Sequence, residues 1–424
     1  MVSTSSTGRF SDGRSTPSTP MSEAADSPAP NNSSKGMEIA PDGDIVLEIE
    51  HEVGKPAAVH SYRVSATILT THSKYFASLL QPGRFSEAAN VEAKHRNLRE
   101  QYGEVGKAPP RELPALSIKD VGRVAVKSVG PLLGDFFNIL HNREMQIPPP
   151  VANLANLAVV ADRFDALEVV RTYLRRKKVM KMLDAKTTAK ADLALGEERV
   201  RQRLLVGVLL DHTPWVEKYS LRMICKGWAS KEVSVSAALW WDLPGRLEDE
   251  LVYRRECMLE TIQSLQSHFL ALYSSRERQC KLGYDSSAQC DSFQLGEMVR
   301  FFTRIGTVQL QGTLIDVADP PEPHAGDLIN LLDTLRQVPE YQIDKFHSHC
   351  GIRTRLVPML DLLQRAIPHA AVCGECWEAN RTDLAWLGAK RPLLWRKGDS
   401  GLYGTGHRHA GIRDFFTATE RQWS

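Results

Sequence analysis

The chain has 424 residues, of which 42% are apolar and 25% charged, with a formal net charge of +2. That length leaves room for two or three domains, and the composition is that of an ordinary globular protein. The near-neutral charge excludes a global basic field for nucleic acid or a membrane surface, and no apolar run approaches the roughly 18–20 residues that span a bilayer.

Residues 1–40 are rich in Ser, Thr, Pro, Gly and Asn and have almost no large apolar side chain. Such a segment buries too little surface to offset its ordering entropy, so it reads as a disordered tail. Its Thr16-Pro17, Thr19-Pro20 and Ser27-Pro28 steps are compatible with phosphorylation, though a plain solvated tail is the better reading of them.

Order begins at Asp44, where Ile45, Leu47 and Ile49 alternate with more polar positions in the period of a half-buried strand. Pro41-Asp42-Gly43 and Gly54-Lys55-Pro56 supply turns on either side, and Val59–Val64 reads as the second strand of a hairpin. An amphipathic helix follows over 65–80. Ser65 is placed to cap it, and Ile68, Leu69, Tyr75, Phe76, Leu79 and Leu80 supply its buried face.

Residues 86–112 are polar without a steady apolar stripe, so they read as an inserted loop with at most a frayed helix. Leu113–Ile118 restores a strand, and Phe136, Phe137, Ile139 and Leu140 mark a helix that the prolines at 148–150 stop. Apolar residues from Leu154 to Leu174 then recur at helical spacing, as one helix or as two separated near Phe164-Asp165. The basic run Arg175–Lys178 suits a helix C-terminus, where cations meet the negative end of the dipole. Residues 179–200 read as a charged linker, 201–397 as a helical C-terminal domain, and 398–424 as a Gly-rich tail.

The order strand, strand, helix, short strand, helix, helical pair carries recognisable residues. They are Tyr62-Arg63-Val64-Ser65, Ile68-Leu69, Ser73-Lys74-Tyr75-Phe76, Phe85-Ser86-Glu87, Phe136–Arg143 with Ile147-Pro148, and Leu157–Asp165. Together they resemble a BTB/POZ domain over residues 42–175, in the style of fungal BTB proteins with a helical C-terminal region. Val64-Ser65 replaces the usual Val-His pair, and Lys74 stands where proline is common. The resemblance implies an α+β domain, a small sheet flanked by helices, that binds proteins. Members self-associate, act as adaptors or dock cullin-type ubiquitin-ligase scaffolds. Here an insertion near 88–112 interrupts the region that cullin-binding members use, which weighs against that partner. The resemblance implies no catalytic residue.

All seven cysteines lie in the second half, from Cys225 to Cys376. They are too sparse for a secreted disulfide framework, and the first residues lack a signal peptide's charged start and apolar core. A reducing intracellular compartment, cytoplasmic or nuclear, is therefore expected. Clustered cysteines there mean metal ligands or inert core thiols.

The candidate metal set is Cys373-Gly-Glu-Cys376 with His349 or Cys350. Two cysteines separated by two residues present both sulfurs to one tetrahedral zinc. A helix over 354–366 would carry the chain about 20 Å away from Cys350, so a shared site needs an extended return over 367–373 or a helix shortened by Pro358. Cys280 and Cys290 are alternative third or fourth ligands, and His347 is a polar cap if no metal binds. A zinc-stabilised C-terminal module with a transcription-related or nucleic-acid role is the second reading, since 350–396 carries scattered Arg and Lys residues. Their spread fits a solvated surface better.

Gly398-Asp399-Ser400-Gly401 matches the nucleophile loop of trypsin-like proteases, but nothing in this helical half supplies the rest of a triad, so it reads as chance. Trp215, Trp228, Trp240, Trp241 and Trp377 sit at helical spacings among aliphatic residues and read as core.

Overall fold

A computed structural model describes residues 36–51, 58–145, 149–229, 234, 236–280, 282, 286–308, 324–374, 385–398 and 409–423. It is a mixed α+β fold, mostly helical, with a small mixed sheet.

Strands β1 (Met37–Glu38), β2 (Ile45–His51), β3 (Ala58–Val64) and β4 (Ala115–Ile118) form a sheet in the order β1-β3-β2-β4. β2 and β3 pair antiparallel from Ile45↔Val64 to His51↔Ala58, while β4 lies parallel to β2 from Val46↔Ala115 to Ile49↔Ile118. Ile45, Leu47 and Ile49 are fully buried, as their alternation requires.

The predicted helix over 65–80 is two helices, α1 (Ala66–His72) and α2 (Lys74–Leu79), broken at Ser73. Ser73 caps α2 by accepting from the Phe76 N–H, and its own hydroxyl donates to the Phe164 carbonyl at 2.6 Å. Capping of α1 by Ser65 does not occur. The Asp44 carboxylate takes that part instead, accepting from the Ala66 N–H at 2.7 Å. Leu69 and Phe76 are fully buried, whereas Ile68, Tyr75, Leu79 and Leu80 are half-buried.

The insertion is more ordered than its composition suggests. Helix α3 (Ser86–Tyr102) buries Ala88, Val91, His95 and Leu98, a stripe narrow enough to escape a search for large apolar residues. His95 fills its place by binding the Asp44 carbonyl at 2.8 Å. Leu98, Val105, Ala108 and Leu113 cover Val46 on the second face of the sheet.

Helices α4 (Val129–Leu140), α5 (Val151–Arg163) and α6 (Leu167–Arg176) pack on the first face. The break between α5 and α6 falls at Phe164–Ala166, where Asp165 takes a left-handed φ of 46°. Phe76, Phe136 and Phe164 stack with ring centroids 5.3 and 5.5 Å apart, beside Tyr75 and Phe137.

The segment 179–200, read as a linker, is largely helical: α7 (Val179–Lys186), α8 (Ala189–Leu193) and the start of α9 (Glu197–Leu209). Asp192 is the reason its charge does not keep it in solvent. That buried carboxylate accepts from the Tyr219 hydroxyl at 2.7 Å and pairs with Lys218 and Arg222. α9 is buried on every side, between α5 and α10 (Thr213–Lys226), so one continuous core joins the two halves.

Helices α11 (Leu247–Ser274), α12 (Ser287–Arg304), α13 (Leu328–Arg336) and α14 (Arg353–Ala366) complete the helical half. α14 runs through Pro358 without shortening, although that proline withdraws one backbone donor. Within the predicted tail, α15 (His409–Thr417) and β6 (Glu420–Gln422) belong to the fold. β6 pairs parallel with β5 (Leu394–Arg396), and Phe415, Phe416 and Trp423 are buried; these apolar residues outweigh the preceding glycines. Trp215 and Trp240 are core and Trp228 and Trp241 are half-buried, while Trp377 lies outside the described residues.

Candidate functional site

Cys280, Cys290 and Cys350 bring their sulfurs together within 4.8 Å of one another, close enough to hold a metal ion. Cys290 sits in the first turn of α12, Cys280 in the loop before it, and Cys350 just before α14. Each backbone is fixed independently. Asp291 on α12 accepts from the N–H groups of Gln279 and Cys280 at 2.8 and 2.9 Å. Arg355 on α14 donates to the Gln279 side chain and carbonyl at 3.0 and 2.9 Å. Gln294 accepts from the Ile352 N–H and donates to the Tyr341 carbonyl, tying the 341–352 loop to α12.

The Cys280 and Cys350 sulfurs are 3.7 Å apart. Burial alone pushes the Cys280 thiol up. The Ser287 hydroxyl, the Leu282 N–H and the two neighbouring thiols outweigh burial and hold it below its ordinary value. Cys290 is pushed the other way by burial and by the charge of its two neighbours, and Cys350 by burial and by Cys280.

His347 lies beside this cluster, its side chain only 1% exposed. Its Nδ1 is 2.8 Å from the Asp344 carboxylate, which also accepts from the Phe346 and His347 N–H groups. The Nε2 edge faces the Ser286 hydroxyl at 3.5 Å, and Cys280 lies within hydrogen-bonding reach of the ring. The bond to Asp344 raises the imidazole's pKa, against burial.

The predicted metal set divides. Cys350 joins the cluster, and both alternative ligands, Cys280 and Cys290, join it too. His349 is exposed, two residues beyond the buried histidine. Cys376 lies outside the described residues. The extended return that would bring Cys373 to Cys350 does not form, because Ile367–Ala370 continues α14 as a 3-10 turn. The chain next to Cys373 packs on α10, where Val372 donates to Ser220 and Gly374 meets Thr213. The sequence alone marks His347 as a polar cap. Its i,i+3 spacing from Asp344 and from Cys350 was the available signal. The remaining thiols are inert core: burial pushes Cys225 up to about 12 and Cys257 up to about 11. Asp399 and Ser400 lie outside the described residues.

The N-terminal half presents two surface features among the described residues. Among the described residues no strand pairs with Val59, His60 or Ser61 on the side where β1 meets Tyr62 and Arg63. A cleft of about 440 Å³ opens between α4 and α5, lined by Val126, Pro131, Leu132, Met145, Pro149 and Leu157. No helix among the described residues is long and apolar enough to cross a membrane. Compared with protein-family models, curated proteins and solved structures, the chain matches none.

Proposed function

We propose that residues 37–178 form a protein-binding module of BTB/POZ type, with no catalytic role, and that its partner is a second copy of this chain. The observation that carries this reading is the order and pairing of elements over residues 45–176. An antiparallel hairpin leads into two short helices broken at Ser73. The next strand then returns parallel to the first, and three helices close over one face. It is the element order that the residues at 62–87 and 136–165 imply.

Two further features support binding over catalysis. The backbone of Val59–Ser61 offers a sheet edge of the kind that pairs with another strand, and Val59 and Met37 there are exposed. The insertion, between α2 and β4 in the chain, folds as α3 near the loop that cullin-binding members of that family use, so a cullin-type scaffold is not part of this reading.

Sedimentation velocity of the full chain, from nanomolar to micromolar loading, tests it. A concentration-dependent dimer is expected. Val59→Lys is expected to shift the protein towards monomer without changing its circular dichroism. A monomer at every concentration removes self-association.

A further inference from the structure

We propose that Cys280, Cys290, Cys350 and His347 bind one zinc ion in a closed, tetrahedral, structural Cys3His site. This inference stands independently of the interaction module.

The geometry suits zinc. A tetrahedral ion with Zn–S bonds of about 2.3 Å places its sulfurs about 3.8 Å apart. Cys280 and Cys350 are already 3.7 Å apart, and Cys290 completes a triangle of sulfurs whose sides are all within 4.8 Å. Three thiolates and one imidazole form a soft donor set that selects zinc over magnesium or calcium, which take oxygen.

His347 is oriented as a ligand. When its Nδ1–H donates to Asp344, the Nε2 lone pair is left free on the edge beside Ser286; this atom is not within 4.8 Å of all three sulfurs, so the ring closes onto the ion as its fourth ligand when metal binds. A carboxylate behind a histidine is the usual outer support of a zinc-bound imidazole, fixing both its tautomer and its direction. Asp344 is itself held by two backbone N–H groups, so the support is rigid.

Other uses of the cluster fit less well. A disulfide between Cys280 and Cys350 would need the sulfurs about 2.05 Å apart and would leave Cys290 and His347 with no part to play. Redox or nucleophilic catalysis needs an accessible thiolate, and Cys280 and Cys290 are 5% and 0% exposed. Two buried sulfurs beside a partly buried Cys350 suit a structural ion better than a thiolate open to substrate.

The ion would join three pieces of chain that share no sheet: the loop following α11, the first turn of α12 and the loop before α14. Cys280 and Cys350 are 70 residues apart, so one metal closes a long stretch of chain. Zinc binding would then be coupled to folding of this corner and would release thiol protons.

The test uses the full chain purified under reducing conditions without chelator. Elemental analysis is expected to find about one zinc per chain. Replacement by cobalt is expected to give the intense visible bands of a tetrahedral thiolate site. Cys290→Ser and Cys350→Ser are expected to lose the metal, while Cys373→Ser/Cys376→Ser retains it. Asp344→Asn, which leaves every ligand in place, is expected to weaken zinc affinity by about 10–100-fold in chelator competition.

Because a cysteine variant can fail to fold, thiol accessibility of the wild-type protein provides a second measure. Chelator treatment is expected to expose three additional thiols to a thiol reagent. Protein that takes up neither zinc nor cobalt overturns the proposal. So does metal that survives Cys290→Ser, or metal that departs only with Cys373 and Cys376.

Discussion

The two halves of the molecule share one apolar core but differ in how much buried charge they carry. Residues 45–176 close around carbon: Phe76, Phe136 and Phe164 stack, with Leu69, Leu133 and Val160 fully buried beside them. Residues 197–423 bury carbon too, with Leu204, Phe302 and Phe416 fully buried, but they add buried guanidinium groups where loops meet the helices. Arg201, wholly buried, forks onto Glu248 at 2.8 and 3.0 Å, bonds Glu197 and also reaches the carbonyls of Trp228, Trp240 and Trp241. Arg254 bonds Glu250 and the carbonyls of Ala370 and Ala371, and Arg255 gathers the carbonyls of Ile224, Cys225, His324 and Gly326. Regular elements satisfy their own backbone, so apolar packing suffices between them. Irregular loops arrive with unpaired carbonyls, and a guanidinium with five donors collects several at once. Arg63 shows the same rule in the N-terminal half. It is buried where loops meet and bonds the carbonyls of Gly43, Gly106 and Ala108.

The largest test of this contrast is Phe76→Asp, which places a carboxylate inside the aromatic stack. Loss of hydrogen-exchange protection throughout 45–176 is expected, because burying a carboxylate among aromatic rings is costly. All eight tryptophans lie beyond residue 214, so their emission reports the other half separately. A red shift is expected too, since α9 packs on α5. Native emission would instead show that the halves fold independently, and a soluble, fully protected variant would sink the account of the first half.

Next in size is Arg254→Met, which keeps the apolar stem but strands Glu250. A loss of about 3–5 kcal/mol in chemical denaturation is expected, the usual result of breaking one side of a buried pair. Glu250 also accepts from the N–H groups of Trp386 and Leu387, so the 385–398 segment should lose protection first. A near-neutral change would show that the arginine is incidental to that packing.

The smallest effect is a pH dependence in the first half. His141 accepts from the Ser65 N–H at its Nε2 and donates to the Phe137 carbonyl at its Nδ1, which requires the neutral ring. Burial lowers its pKa below the ordinary imidazole value of about 6.5. Because the folded-state value is depressed, the stabilisation is present above about pH 6.5 and is lost as pH falls through the folded value. Denaturation midpoints measured from pH 7.5 downward should therefore fall, and fall less in His141→Gln. Equal slopes would remove the role assigned to this histidine.

The same contrast explains what the sequence disclosed. The period-2 run at Ile45–Ile49 and the aromatic positions at 75–76, 136–137 and 164 were legible, because apolar periodicity records which side of an element is buried. The helix in the insertion was hidden by a stripe that uses Ala88 and His95. Order in 179–200 was hidden because Asp192 is neutralised by residues about 27 positions away. The thiol cluster was half legible. Cys280, Cys290 and Cys350 stood among the candidates, but local spacing favoured Cys373 with Cys376, and no local pattern reports that α14 continues through Ile367–Ala370. His347 could be assigned only once Asp344 was seen behind it.

The seam between α11 and the C-terminal segment from α15 to Trp423 bears on how the protein is made. The Thr261 hydroxyl reaches the Phe416 carbonyl, and Trp423 donates to Ser264, contacts spanning 155 and 159 residues of sequence. The elements of the first half are all translated before α9, so that half can condense on the ribosome, whereas α11 emerges long before the strand and aromatic residues that cover it. For that interval its apolar stripe is open to chaperones, and a ribosome stalled before Phe415 would leave a nascent chain with a finished front and an uncovered back.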